Sequence, residues 1–360
     1  MSTISINDPR FHYVFELPSE SGGDSTPSFR VAYADYGYRD ENVTKQGSTF
    51  LFFGPLMASR LINIAKDNLA KNHKVRIIEL DRPGIGGTSP ARPGERMALW
   101  LRIVPALLEH LNIKHVSIGC HSGGTVYALD FILHHPEYLH PERAYLAIAA
   151  PWILPSHTES IMLSIVQSLP RWLISNTDKL AKLINNYIGP SLGLSIGATQ
   201  NLIAMVRPSS ASSASTDTSE VHTEARLWPQ ILNKMYGEGI QGISDDAILL
   251  LRKAKSMDGW GDWGDYDTLT PRLAEALHAA QRTLRVETFW PESDFVLGGN
   301  EKGTVWFDQC WDEAHCGNTV VYSSTILKGA THNEAWSLQF STAHNAFKYI
   351  SQESENQYVS

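Results

Sequence analysis

The stretch VSIGCHSGGT, residues 116–125, runs an apolar β-type segment straight into a serine that is followed by two glycines. A nucleophilic serine needs such a place. Its hydroxyl must stand clear of its own chain, beside a base and backbone donors, and a sharp strand-to-helix turn achieves this. The strained turn demands small side chains two positions either side of the nucleophile. Around Ser122 those positions are Cys120 and Gly124, with Cys where Gly is commoner. Gly123 and the helix expected after it bring N–H groups to a helix N-terminus, suited to holding an oxyanion. The plain alternative is a Ser-Gly turn capping an ordinary helix.

Around this motif the chain alternates. Two β-like runs, residues 11–18 and 29–38, flank a turn-rich segment. Strands are then predicted at 48–54, 75–80, 115–120 and 144–150, and helices at 59–72, 94–111 and 123–134. Strand and helix in alternation imply βαβ units and a largely parallel sheet. The strands are apolar throughout rather than at every second residue, so both faces of that sheet should be covered. After Pro151 the rhythm changes to amphipathic helical patterns with no convincing strand, including residues 160–174 and 177–189. Within this part lies SSASSASTDTSE (209–220), too polar and simple to bury itself, and a flexible loop is expected near 208–222. The βα rhythm returns with a helix at 271–283, a strand at 284–290, a helix near 301–314, a strand at 319–327 and a last helix at 333–351. The expectation is an α/β core formed by residues 1–151 and 269–360, interrupted by a helical insertion at 152–268.

Composition narrows the function classes. With 42% hydrophobic residues among 360, the chain can build a sizeable core. A net charge of −8 and the lack of any basic cluster argue against nucleic acid as partner. Three cysteines, at 120, 310 and 316, form no C-x-x-C pair and support neither a zinc site nor a disulfide framework, so no metal is expected. Cys310 and Cys316 could pair, but reduced thiols are the reading adopted. The opening MSTISINDPR lacks the charged start and apolar core of a signal peptide, the closing QYVS is no retention address, and no apolar run reaches spanning length. A cytoplasmic location without stable membrane insertion is expected.

Five stretches together resemble the α/β-hydrolase fold: CHSGG (120–124), DRPGIGGTSP (81–90), FFGPLMASR (52–60), PESDFV (291–296) and LKGATH (327–332). With the strand order they cover roughly residues 11–151 and 271–351, and the helical insertion occupies the usual place of a cap. The resemblance implies a serine–acid–histidine triad in that chain order, each member at a strand end. The acid position falls on Asp294, with Glu292 the nearest substitute, and the base position on His332. His315 and His344 are assigned to helices. The run Phe53-Gly54-Pro55-Leu56-Met57 has Phe where the family often carries His, and Pro55 has no N–H to give. The first oxyanion donor is therefore expected at Leu56, with Met57 the alternative, and the second at Gly123. His121, beside the nucleophile, packs behind the turn in the family, and contact with substrate is the other reading.

The insertion is rich in apolar residues, among them Trp152, and MDGWGDWGDYD (257–267) adds Trp260 and Trp263. These residues either line a pocket for a small apolar or aromatic substrate, for which His121, Trp152 and Trp260 are the candidates, or plug the space beneath a cap. The leading expectation is a cofactor-independent serine hydrolase acting on an ester or lactone through an acyl-enzyme. A lyase, isomerase or cyclase using the same triad is the alternative, and a catalytically silent binding protein a third. Ser122 disfavours the epoxide-hydrolase and dehalogenase branches, which carry Asp at that place.

Overall fold

The computed structural model describes residues 4–18, 28–39, 48–175, 218–254, 260–294, 296–297 and 301–355. Its strands are β1 (Tyr13–Leu17), β2 (Phe29–Gly37), β3 (Ser48–Phe53), β4 (Val75–Leu80), β5 (Ser117–Ser122), β6 (Ala144–Pro151), β7 (Leu284–Ser293) and β8 (Val320–Thr331). They form one sheet in the order β1-β2-β4-β3-β5-β6-β7-β8. β1 and β2 pair antiparallel, as do β2 and β4, and every other pairing is parallel. The early β-rich segment is thus an antiparallel margin on a parallel sheet.

Helices cover both faces, as the unbroken hydrophobicity of the strands requires. One apolar cluster joins α2 (Arg96–His110), α3 (Gly124–His134) and α8 (Tyr266–Ala279) to the sheet through residues such as Trp100, Leu107, Phe131 and Leu273. The other joins α1 (Asp67–Asn72) and α11 (Thr342–Glu355) through Leu69, Phe50 and Phe347. Between β6 and α8 the described segments are α4 (Ile161–Ser168), α5 (Arg171–Ile174), α6 (Thr218–Glu238) and α7 (Gly242–Leu250), with no strand among the described residues there. After β7 come α9 (Glu301–Gln309) and α10 (Glu313–Cys316).

Several predicted boundaries move, each for a tertiary reason. The helix expected over 59–72 forms only at its end, as a 3-10 turn and α1. At its start the Asp81 carboxylate accepts the Arg60 N–H at 2.5 Å and holds the chain in a turn. The last helix starts at Thr342 rather than 333, because Thr331 and Glu334 form a capping box around a separate 3-10 turn. α8 begins at Tyr266, capped by Asp265, so the expected domain boundary at 268/269 falls inside a helix. The loop expected near 208–222 lies outside the described residues up to 217, and from Thr218 onward the chain is helical. The helical pattern at 177–189 also lies outside the described residues.

Two interior contacts seat α6 on the core. Lys66 is buried and pairs with Glu224 at 2.8 Å, and Glu238 receives Nη1 and Nη2 of buried Arg60 at 2.8 and 3.0 Å. The chain then pairs with the glycine loop after β4: Gly86 N–H donates to Gly239 O at 3.0 Å, and Gly242 N–H to Gly84 O at 2.8 Å. Gly242 has no room for a side chain, since a Cβ there would lie 2.1 Å from Pro83 O.

Gly119, in the middle of β5, carries a similar constraint, because an added Cβ would lie 2.2 Å from Phe50 Cζ. That ring packs against Trp336 and Phe347 at centroid distances of 5.9 and 5.3 Å and has little freedom to yield. Gly119→Ala is expected to lower unfolding free energy by about 1–3 kcal/mol, the usual cost of overpacking. A urea midpoint equal to that of the wild type would contradict this.

Candidate active site

β5 ends at Ser122, and α3 begins two residues later at Gly124. Ser122 takes φ +50°, a left-handed conformation that non-glycine residues adopt at an energetic cost. The reason lies at Gly124, where a Cβ would come within 2.0 Å of Phe53 O and 2.7 Å of Gly54 O. The helix start is pressed against the backbone leaving β3, and the chain reaches it only by a sharp bend. Cys120, the other small position, is fully buried.

The ends of β7 and β8 bring Asp294 and His332 together. The β7–β8 register holds from Leu284 opposite Val320 to Pro291 opposite Leu327, then shifts at a bulge and resumes with Ser293 opposite Thr331. Asp294 and His332 directly follow these strand ends, so they leave the sheet side by side although 38 positions apart. His332 Nδ1 lies 2.8 Å from Asp294 Oδ2, and His332 Nε2 lies 2.9 Å from Ser122 Oγ. All three side chains are buried. Asp294 Oδ1 also accepts the N–H groups of Val296 and Leu297 at 2.9 and 3.1 Å. Burial alone would raise the Asp294 pKa, but the electrostatic attraction and hydrogen bond of His332 and these two amides outweigh it and hold the carboxyl below its ordinary value. An ionised Asp294 can only accept, so the proton sits on His332 Nδ1 and Nε2 is left to accept from the Ser122 hydroxyl. Glu292, the substitute acid, instead accepts Gly329 N–H at 2.8 Å.

The Leu56 amide nitrogen lies 3.5 Å from where a Gly123 Cβ would sit, so the two expected oxyanion donors are neighbours. Leu56 N–H has no acceptor among the described residues. The same Gly123 position faces Leu250 Cδ1 at 2.7 Å, and Leu250 is the last residue of α7. An apolar side chain from the insertion therefore packs directly on the turn that carries Ser122.

Each of the three candidates for substrate contact makes an interior hydrogen bond to a backbone carbonyl. His121 is buried and its Nε2 lies 2.8 Å from the carbonyl oxygen of His332. Because a carbonyl only accepts, that nitrogen carries the hydrogen, and the ring braces the main chain of the base. Burial, reinforced by His332, pushes His121 down to about 3, so it is neutral at ordinary pH. Trp152 and Trp260 turn their indole N–H groups to one acceptor, the Leu250 carbonyl, at 3.1 and 3.2 Å. Trp260 has no exposed surface. It stacks obliquely with Trp263 and Tyr266, and Trp263 in turn bonds Asp130 of α3. These tryptophans fix the end of α7, and with it Leu250.

The sequence reading did not single out Arg82, Arg96 or Asp246, which lie next to this site. Arg82 Nη1 donates to Gly54 O at 2.6 Å, and Nη2 reaches Pro55 O and Leu56 O, the latter at 3.1 Å. Its Nε meets Asp246 Oδ2 at 2.5 Å, while Asp246 Oδ1 accepts from Arg96 Nε and the Tyr127 hydroxyl, both at 2.7 Å. The available signal was an acidic pair set in the otherwise apolar helix GISDDAILL.

No family model matches the chain. A curated relative, the uncharacterized hydrolase YcgS of Bacillus subtilis (strain 168), is 31% identical over 112 residues. That match spans 31% of this chain and 38% of the relative's length. Among solved structures, the epoxide hydrolase VrEH1 from Vigna radiata superposes with a TM-score of 0.56 at 13% identity, covering 96% of this chain and 98% of that one. The enol-lactonase from Burkholderia xenovorans LB400 gives 0.53 at 12% identity, covering 90% and 96%. A hydrolase from Pseudomonas aeruginosa PA01 gives 0.54 at 12%, covering 94% and 98%. The chain has the α/β-hydrolase fold. Within that fold Ser122 ends β5, and Asp294 and His332 directly follow the ends of β7 and β8. Among the described residues no helix is long and apolar enough to cross a membrane.

The depressed His121 value has a consequence for stability. An unfolded histidine binds a proton near pH 6.5, whereas the folded one does so near 3. The unfolded state therefore holds more protons across that window, and stability falls as pH drops through it. His121→Gln can keep a donor to the His332 carbonyl without titrating. Its unfolding free energy should show a shallower loss than the wild type between about pH 6.5 and 3, by up to one proton in slope. Identical slopes in urea titrations at several pH values would rule this out.

Proposed function

We propose that this protein is a serine hydrolase that cleaves an ester or lactone of a small apolar molecule through an acyl-enzyme. The observation that carries the proposal is the continuous chain Asp294–His332–Ser122, with links of 2.8 and 2.9 Å, at the end of a strained strand-to-helix turn. In the first half-reaction Ser122 Oγ attacks the carbonyl carbon while His332 Nε2 takes its proton. Asp294 holds the imidazole by Nδ1–H and stabilises the cation that forms. The N–H groups of Gly123 and Leu56 are the donors for the tetrahedral oxyanion. His332 then returns the proton to the leaving alcohol, or to the far end of an opened lactone. Water, deprotonated by the same imidazole, attacks the acyl carbon and regenerates Ser122.

Residues 152–268 act, on this reading, as the cap that shapes the acyl pocket, and Leu250 is its apolar contact nearest the nucleophile. That contact supports a small apolar or aromatic substrate over a charged one. The names of the relatives support hydrolysis: the Bacillus relative is called a hydrolase, and an enol-lactonase shares the fold. An epoxide hydrolase shares it too. A serine at the turn favours carbonyl chemistry here, because opening an epoxide in that branch relies on Asp at this place.

A fluorophosphonate probe should label Ser122 and fail on Ser122→Ala. Hydrolysis of short aryl esters or lactones should fall about a thousandfold or more in Ser122→Ala and His332→Ala. In heavy-oxygen water the acid product should carry label. Turnover without label would mean a lyase, isomerase or cyclase on the same triad. Neither labelling nor turnover by the wild type would remove the proposal.

A further inference from the structure

We infer that Asp246 is a positioning residue for catalysis: acting through Arg82, it holds the turn of residues 54–56 so that the Leu56 N–H faces Gly123. This rests on the serine-hydrolase reading of Ser122 and assigns that reaction a residue from outside the α/β core.

The Pro55 carbonyl and the Leu56 N–H belong to one peptide group, and no peptide bond in the described chain is cis. In a trans peptide the C=O and N–H point in opposite directions. Arg82 binds the Pro55 oxygen, so the Leu56 N–H is turned the other way, towards Gly123. Two further carbonyls, of Gly54 and Leu56, converge on the same guanidinium. Three carbonyl dipoles aimed at one point repel one another, and a cation at that point makes the arrangement favourable. Only a forked, planar donor can serve all three and still present Nε to a carboxylate, which is why Arg rather than Lys fits. A hydrogen bond to the carbonyl also polarises its peptide, and this makes Leu56 N–H a stronger donor.

Arg82 is itself buried and needs a counter-charge. Asp246 supplies it. The carboxylate has no exposed surface, and Arg82, Arg96 and Tyr127 occupy its two oxygens. Burial opposes its ionisation, but the two guanidinium groups prevail and hold its pKa below the ordinary carboxylate value. Asp246 is carried by α7, which is anchored through Gly242 on Gly84 and ends at Leu250 on Gly123. One helix thus orients the oxyanion donor from behind and covers it from the front.

Asp246→Asn keeps the shape and removes the charge, and Arg82→Lys keeps the charge and removes the fork. Two readouts are needed. Hydrogen exchange of the peptide spanning residues 53–58, measured in the resting protein, should speed up about tenfold or more in Asp246→Asn, with β5 and β6 unchanged. On an aryl ester, kcat should fall about ten- to a hundredfold in both variants with KM within about threefold, since a donor to the transition state is displaced and ground-state contacts remain. Should Asp246→Asn not fold, Arg82→Lys carries both measurements. Unchanged exchange at 53–58 in a folded variant overturns the inference, whatever the activity. Faster exchange with unchanged kcat also overturns it, provided that Ser122→Ala is inactive. A wild type that neither labels nor turns over is the separate failure of the hydrolase reading, and the inference falls with it.

Discussion

Everything at this site depends on one close approach, that of the α3 N-terminus to the backbone leaving β3. Gly124 meets Phe53 O and Gly54 O with no space for a side chain. β5 is tied to β3 on one side and β6 on the other, with Phe53 opposite Cys120 and Ala149 opposite His121. The strand cannot shift to relieve the contact, so the bend concentrates in Ser122. Holding a residue at such a φ costs about 1–3 kcal/mol, which a helix buried from Gly124 to Leu133 and a doubly paired strand can absorb. The same approach sets the Leu56 amide beside Gly123. The bend at Ser122 and the placing of the Leu56 amide beside Gly123 therefore follow from a single packing constraint.

Charge in the interior does the second part of the work, and the partner decides its form. Glu79 is as buried as Asp294, yet its hydrogen bonds come from neutral Asn63 and Tyr36, and burial pushes it up to about 8. Asp81 sits against Arg60, and burial still carries it to about 6. Asp294 and Asp246 are held low, because imidazole and two backbone amides serve one and two guanidinium groups the other. Buried pairs of this kind add little net stability, since desolvation offsets the attraction. What they supply is geometry. Arg60 with Glu238, Lys66 with Glu224 and Arg82 with Asp246 each join the α/β core to a helix of the insertion.

Most of the core was legible because its causes are local. Hydrophobic runs of strand length located every strand, and the glycine pattern after VSIGC located the turn. Asp294 and His332 could be chosen because each follows a strand end, and the register shift near the ends of β7 and β8 then makes them adjacent. Where local pattern and tertiary contact competed, contact prevailed. Residues 59–63 read as helix but are held in a turn by Asp81, and Trp152 and Trp260, left open between pocket wall and plug, both donate to one carbonyl.

The amino-acid order by itself determined the strand–helix alternation, the bend at Ser122 and the placing of Asp294 and His332 after strand ends, since these follow from side-chain size and periodicity within a dozen residues. Tertiary structure alone decided which way the Leu56 amide points, which acid compensates Arg82, and what stands over Gly123. Arg82 and Asp246 are 164 positions apart, and no periodicity links them. They meet because a helix of the insertion folds back on the glycine loop after β4, where backbone can touch backbone and a buried cation demands a partner.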